Sequence, residues 1–466
     1  MKAIKYLLAG AMLAAFTAPT MAQNVNPDVD AITKAIIANK TNPDAVKGQV
    51  KDFLKVNKKN ADALAGLGRA YLQIKDTVNA EKYGQMAISK DKNAAAGYIL
   101  LGDIAVVKND GGEAAQWYNQ AKTMDPKNPQ GYIKYANIYR GRSVEQAVAT
   151  LEELRSILPD YPVDAEAAHF YYLNNRFAKA KEYYDKVSTD KLDNNRLTEY
   201  ALAAYFTSDS KKCLEVAQNG IQKYPRDAAL NRLSFYSYTD LKDYANALKY
   251  ADALFNKSDS AKFTARDYQY YGYAYLGNKE YDNAIAQFNK ALEMNGELND
   301  VRKQISEAYI AKNDYEKGLA MYDEYLKHVT NPKVSDYDGL AKLYSELANN
   351  PACKDKAGAL KNADRVFGII GEKFPNNLSY VSIMRARLNA QLDPETKEGL
   401  AKPYYEKYIE LTKQENPDKP KLLIEPYSYL GYYYYLKNDK AQSNSYWNKI
   451  LEIDPTNATA KQALGK

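Results

Sequence analysis

The sequence predicts an all-α fold, a solenoid of antiparallel helix pairs each packed against the next. Three observations carry this. In residues 267–296, Tyr268, Tyr271, Gly272 and Tyr275 fall on one helical stripe, and Ala284, Phe288 and Ala291 fall on another, by the i, i+3, i+4, i+7 rule. Between the two stripes, Gly277-Asn278-Lys279-Glu280 is polar and carries a glycine, the composition of a tight helix–helix turn. The small residue of the first stripe then returns about every 34 residues. It stands at Gly68, Gly102, Ala136, Ala168, Ala201, Gly272, Ser306, Ala341, Met384 and Gly431, with Phe235 as a poor fit.

Taken in order, residues 1–22 have a basic start at Lys2 and Lys5, an apolar run, Pro19, and the small residue Ala22 before Gln23. This is the pattern of a cleaved secretory leader, and it predicts a periplasmic, secreted location. No cysteine follows the apolar run, so a lipid anchor on the mature N-terminus is not expected. Residues 23–60 hold two weaker helical segments and read as a degenerate capping repeat. Five units then run to residue 227. The sixth ends in the polar stretch Asn256-Lys257-Ser258-Asp259-Ser260, which lengthens the period. A bend or subdomain boundary is expected there, dividing an N-terminal half, 61–263, from a C-terminal half, 264–466. Two regular units follow. Beyond residue 331 the register loosens: residues 347–356 insert into one turn, and Leu392-Asp393-Pro394 and residues 415–421 lengthen the next unit. The last strong unit, 423–457, is followed by a short helix that covers the final apolar face, as repeat arrays need.

The spacings aromatic-x2-aromatic-Gly-x2-Tyr and Ala-x3-Phe-x2-Ala resemble the tetratricopeptide repeat (TPR) signature. Tyr268 takes its Trp position and Gly296 its Pro position. Second-helix matches recur at Ala114/Tyr118/Ala121/Pro126, Cys213/Ala217/Gly220/Pro225 and Ser443/Trp447/Ile450/Pro455. The resemblance implies a right-handed superhelical array of about 11–12 repeats with a groove that binds a protein or peptide partner. It fixes fold far better than function.

Composition narrows the chemistry. The 466 residues carry 64 basic and 58 acidic side chains, a net +6, with the signs mixed along the chain. No concentrated basic face marks a nucleic-acid binder, and no segment after the leader is apolar enough to span a membrane. His169 and His328 are the only histidines, and Cys213 and Cys353 the only cysteines. A zinc site needs several such ligands at fixed spacing. No phosphate loop or nucleophile elbow is present. No metal, cofactor or enzymatic activity is expected. Cys213 fills a small-residue core position and Cys353 lies in an insertion, so a bridge between them is not expected and Cys353 should be exposed.

The oddest feature is 43 Tyr against 11 Phe. Tyr118, Tyr184, Tyr322 and Tyr405 occupy positions that the family gives to Phe, where a buried ring can send its hydroxyl to the edge of a thin core. A second stripe of each first helix, offset by one residue from the core stripe, lines the concave surface in the family. Here it gives an aromatic row, Tyr172, Tyr205, Tyr236 and Tyr273, with His169 and Arg232 beside it. Aromatic rings and Arg are enriched at binding hot spots. The plainer alternative is that these rings only pack between helices, in which case the Tyr432–Tyr435 face of the last repeat is the next candidate. Asn137 and Arg140 partly echo the clamp of the chaperone-tail-binding branch, but the partnering lysines are missing and that ligand is not carried over. Two functions stay open: a periplasmic scaffold for a protein or peptide partner, and a structural part of an outer-membrane assembly or glycan-uptake machine.

Overall fold

The computed structural model describes residues 26–466; the leader lies outside them. Twenty-five α-helices, with short 3-10 turns and one π-turn, are found among the described residues, and no strand. The chain divides by packing into two compact units, Met1–Pro225 and Arg226–Lys466.

In the first unit the helices run α1 Pro27–Ala38, α2 Lys47–Asn57, α3 Ala61–Gln73, α4 Thr77–Lys90, α5 Ala95–Val107 and α6 Gly111–Met124, followed by α7 Pro129–Tyr139, α8 Val144–Ile157, α9 Val163–Leu173, α10 Phe177–Tyr184, α11 Asn194–Phe206 and α12 Ser210–Lys223. In the second they run α13 Ala228–Asp240, α14 Tyr244–Asp252, α15 Ala265–Gly277, α16 Tyr281–Met294, α17 Asn299–Ala311, α18 Tyr315–His328, α19 Val334–Asn349 and α20 Lys356–Lys373, then α21 Leu378–Leu392, α22 Lys402–Glu415, α23 Ile424–Leu436, α24 Lys440–Ile453 and the short α25 Ala458–Ala463. From α3 onward each odd helix packs on the even helix that follows it, and α1 packs chiefly on α3.

The small position works by close approach. A Cβ added at Gly102 would overlap the ring of Tyr118, one at Gly272 the ring of Phe288, and one at Gly431 the indole of Trp447. Each partner lies on the second helix of the same pair. Phe235 departs from this scheme: it is fully buried in α13, and its ring lies edge-on to Tyr270 and Tyr271 of α15, with centroids 6.3 and 5.9 Å apart.

The turns follow a different rule from the one expected. The left-handed position is filled by Lys75, Asn109, Asn175, Ser208, Lys242, Lys279, Asn313 or Asn438, each with φ between 57° and 64°. In most of them an Asp follows and caps the second helix, as Asp76, Asp110, Asp209, Asp243 and Asp439 do. Gly277 is not the turn residue. It ends α15 with ordinary backbone, and a Cβ there would overlap the ring of Tyr244.

The hydroxyl expectation holds for all four tyrosines in Phe positions. Tyr118 donates to Asp103 at 2.7 Å, Tyr184 to Glu199 at 2.6 Å, Tyr322 to the Asp336 carbonyl at 3.0 Å and Tyr405 to Glu425 at 3.0 Å. Eight further tyrosines form a recurrent pair bridging the two helices of a repeat. Tyr71–Tyr83, Tyr171–Tyr183, Tyr238–Tyr250 and Tyr434–Tyr446 have ring centroids 5.4–5.8 Å apart. Such pairs add about 0.5–1.5 kcal/mol beyond burial.

The 347–356 insertion is absorbed by lengthening α19 to 16 residues and α20 to 18, rather than by a floppy turn. Cys353 is accordingly half-buried, packed beside the apolar cluster of α18–α21, and not exposed as expected. Cys213 is buried, and neither cysteine sits in a disulfide.

Candidate functional site

Tyr172 and Tyr205 lie in the first unit, Tyr236 and Tyr273 in the second, and each pair stands in its own surroundings. In the first unit, Nδ1 of His169 on α9 lies 3.0 and 2.9 Å from the two carboxylate oxygens of Glu199 on α11. Arg196 joins the same carboxylate at 3.2 Å and reaches Glu166 at 3.2 Å. Tyr172 is buried, its ring edge-on to Phe177; burial pushes its phenol up. Tyr205 is half-buried and edge-on to Phe206. Arg140 donates to Asn137 at 3.2 Å and stands over the ring of Phe170, so the partial clamp echo is an internal contact.

In the second unit the centre is Asp267, which is fully buried at the start of α15. Its Oδ1 accepts from Arg232 Nε at 2.6 Å and from the Tyr236 hydroxyl at 2.8 Å. Its Oδ2 accepts from the Thr264 backbone N–H at 2.7 Å and hydroxyl at 3.0 Å. Tyr236 is 1% exposed and stacks on Tyr270 with centroids 4.0 Å apart. Burial, then the Asp267 charge, push its phenol well above the ordinary value. Tyr273 is half-buried, edge-on to Phe288, and accepts from Gln269 at 2.9 Å. The rings of Tyr172 and Tyr236 are therefore closed to a partner in this structure, and Arg232 and His169 are held by carboxylates.

A rule that sequence reasoning missed accounts for His169 and Tyr236. In three repeats the residue just after the small position reaches the next repeat. Asp103 meets Lys134 at 2.7 Å, 31 residues on. His169 meets Glu199, 30 residues on, and Tyr236 meets Tyr270. Complementary residue types at that spacing are the signal that could have revealed it.

The equivalent residue of the last repeat is Tyr432. The position about one repeat on is Ala463, small and itself exposed. Tyr432 is 45% exposed and Tyr435, one turn along the same helix, 61%. Their rings are nearly parallel, 22° apart, with centroids at 6.5 Å. The lengthened loop between α21 and α22 is fixed beside them. Buried Asp393 accepts from the N–H of Lys397 at 2.9 Å and of Gly399 at 2.7 Å, and Lys437 Nζ donates to the Lys397 carbonyl at 3.0 Å.

The tetratricopeptide repeat profile matches residues 42–95 and 87–129, and a second profile of the same description matches residues 268–297. The chain is a tetratricopeptide repeat protein. Among solved structures, this TPR protein is similar to the C-terminal part of a TPR repeat-containing protein from Cytophaga hutchinsonii. Identity is 26% over 64% of this chain and 99% of that one, with a TM-score of 0.40. It is also similar to a tetratricopeptide repeat protein from Parabacteroides merdae, at 20% identity over 53% of this chain and 98% of that one, with a TM-score of 0.33. No curated protein matches the chain. The TPR fold is in general a protein-interaction scaffold and is typically non-catalytic. Among the described residues, no three His, Cys, Asp or Glu are placed to hold a metal ion, and no helix is long and apolar enough to cross a membrane.

Proposed function

We propose that this TPR protein is a periplasmic scaffold that binds a segment of a protein partner on the offset stripe of its first helices, with Tyr432 and Tyr435 as the main anchors. The observation that carries the reading is the exposure of these two near-parallel rings, at 45% and 61%, on one helix face beside an ordered loop. Rigid aromatic rings lose little conformational freedom on binding and dominate hot spots. Tyr205 and Tyr273 are half-exposed secondary candidates, each within its own unit. The periplasmic location rests on the order of charge, apolar run and small residue in 1–22.

Two measurements test the reading. N-terminal sequencing of the cellular protein should begin at Gln23 or find it blocked by cyclisation; an intact Met1 removes the periplasmic location. A photo-crosslinker placed at Ser428 should capture a discrete protein partner in living cells. Tyr432→Ala with Tyr435→Ala should abolish that capture at unchanged helicity and melting. Capture that survives the double substitution moves the site away from α23. Recovery of an outer-membrane barrel complex would favour an assembly or uptake machine instead.

A further inference from the structure

We propose that residues 258–264 form a strap clasped by the buried Asp267 carboxylate, and that losing the carboxylate releases the strap as one unit together with Arg232. The inference concerns the lengthened junction between α14 and α15, not the Tyr432 face.

Helix α14 does not stop at an ordinary cap. It runs into a π-helical turn over Ala253–Lys257, a rare geometry that tends to mark functional insertions. The chain then crosses from Ser258 to Thr264 with no regular secondary structure. Its order rests on pins to neighbouring elements. The Asp259 N–H donates to the Arg226 carbonyl at 3.0 Å, and Arg226 pairs with the Asp259 carboxylate at 2.6 Å. Asn231 donates to the Ser258 hydroxyl at 3.1 Å. Arg232 Nη2 donates to the Lys262 carbonyl at 2.7 Å. Phe263 stacks on Phe255 with centroids 4.4 Å apart.

These pins differ in kind. The Arg226–Asp259 pair is exposed on both sides, so water and salt weaken it. The Arg232 pin is different, because that guanidinium is shared. Its Nη2 holds the strap at Lys262 while its Nε holds Asp267 at 2.6 Å. The other Asp267 oxygen receives the N–H and hydroxyl of Thr264, the last residue of the strap. One fully buried carboxylate thus ties both the middle and the end of the strap to α13 and α15. An amide there keeps the shape, but only one of its two atoms accepts, and it leaves the guanidinium un-neutralised. Arg232 and Thr264 then let go together.

Trypsin reads this out, since Lys257 and Lys262 flank and occupy the strap and are exposed along their side chains. Cleavage requires local opening and follows the population of the open form when opening is fast. In the full mature chain, the wild type should resist cutting at both lysines. Asp267→Asn should be cut there about tenfold faster or more, with cutting in residues 26–225 unchanged. Arg226→Ala should change the rate little. If Asp267→Asn loses helicity overall, Arg232→Gln removes the Lys262 pin while Thr264 stays bonded to Asp267, and should speed cutting at Lys262 without touching the start of α15. The proposal is overturned if the wild type is already cut at Lys257 and Lys262 as fast as the variants. It is also overturned if neither variant is cut faster, or if protection is lost evenly across 226–466.

Discussion

The Tyr184 hydroxyl and the Nδ1 of His169 converge on one carboxylate, that of Glu199, at 2.6 and 2.9 Å. Tyr184 comes from the second helix of one repeat, His169 from its first helix, and Glu199 from the first helix of the next. Three helices are therefore joined at a single acid. Burial pushes the Glu199 carboxyl up, but the hydrogen bond and charge of His169, the Arg196 charge and the Tyr184 hydroxyl outweigh it and hold the group below its ordinary value. A folded-state value below the unfolded one, about 4.3 for Glu, gives stability that is present above that pH and is lost as pH falls through the folded value. Acid titration should therefore loosen α9–α11 below about pH 4.3, and Glu199→Gln should remove that dependence. The substitution should also cost about 3 kcal/mol at neutral pH, the lower end for a broken buried pair, because Glu166 still holds Arg196. Hydrogen exchange of residues 163–206 against pH is the check. An unchanged acid limb in the variant would assign the effect to other groups.

Gly272 and Phe288 test the close-approach rule. A Cβ at Gly272 would overlap the Phe288 ring, so Gly272→Leu should destabilise by about 1–3 kcal/mol through overpacking. Coupling in repeat arrays is chiefly between neighbours, so lost exchange protection should concentrate in α15–α18. Uniform loosening of the whole second unit would contradict that locality.

The fold was legible because its signal is internal to each repeat. Gly102 and Tyr118, Gly272 and Phe288, and Gly431 and Trp447 meet within one helix pair, and the pattern recurs often enough to survive one exception. Phe235 is that exception, and its ring packs on Tyr270 and Tyr271 of the next repeat. The candidate site was harder to see. Whether an offset-stripe residue is open depends on what the next repeat puts against it, 30 or more residues away. His169 and Tyr236 have the right type and face, and Glu199 and Asp267 close them in. Tyr432, at the equivalent position of the last repeat, stays 45% exposed.

The thiols give a further test. Cys213 is buried on α12 and Cys353 is half-buried in the lengthened turn, and neither is in a disulfide. Denatured protein should titrate two thiols. In the native state Cys353 should react first, and Cys213 only at the rate of local or global opening. Equal native rates would mean that α12 opens far more readily than its burial implies.

The last prediction sets two neighbours in one turn against each other. By composition Gly277 is the residue that permits the turn between α15 and α16, yet it has ordinary helical backbone and Lys279 carries φ 64°. A non-glycine residue in the left-handed region costs about 1–2 kcal/mol, and glycine removes that cost while adding chain entropy to the unfolded state. Lys279→Gly should therefore be neutral to stabilising, by up to about 1 kcal/mol. Gly277→Ala should destabilise, although alanine is the better helix former by about 1 kcal/mol, because its Cβ would overlap the ring of Tyr244 on the preceding repeat. Tyr244→Ala should relieve much of that penalty, so the two substitutions should be non-additive. Chemical denaturation of the four proteins, Gly277→Ala with and without Tyr244→Ala among them, measures the coupling. A destabilising Lys279→Gly beside a harmless Gly277→Ala would return the turn to its compositional reading.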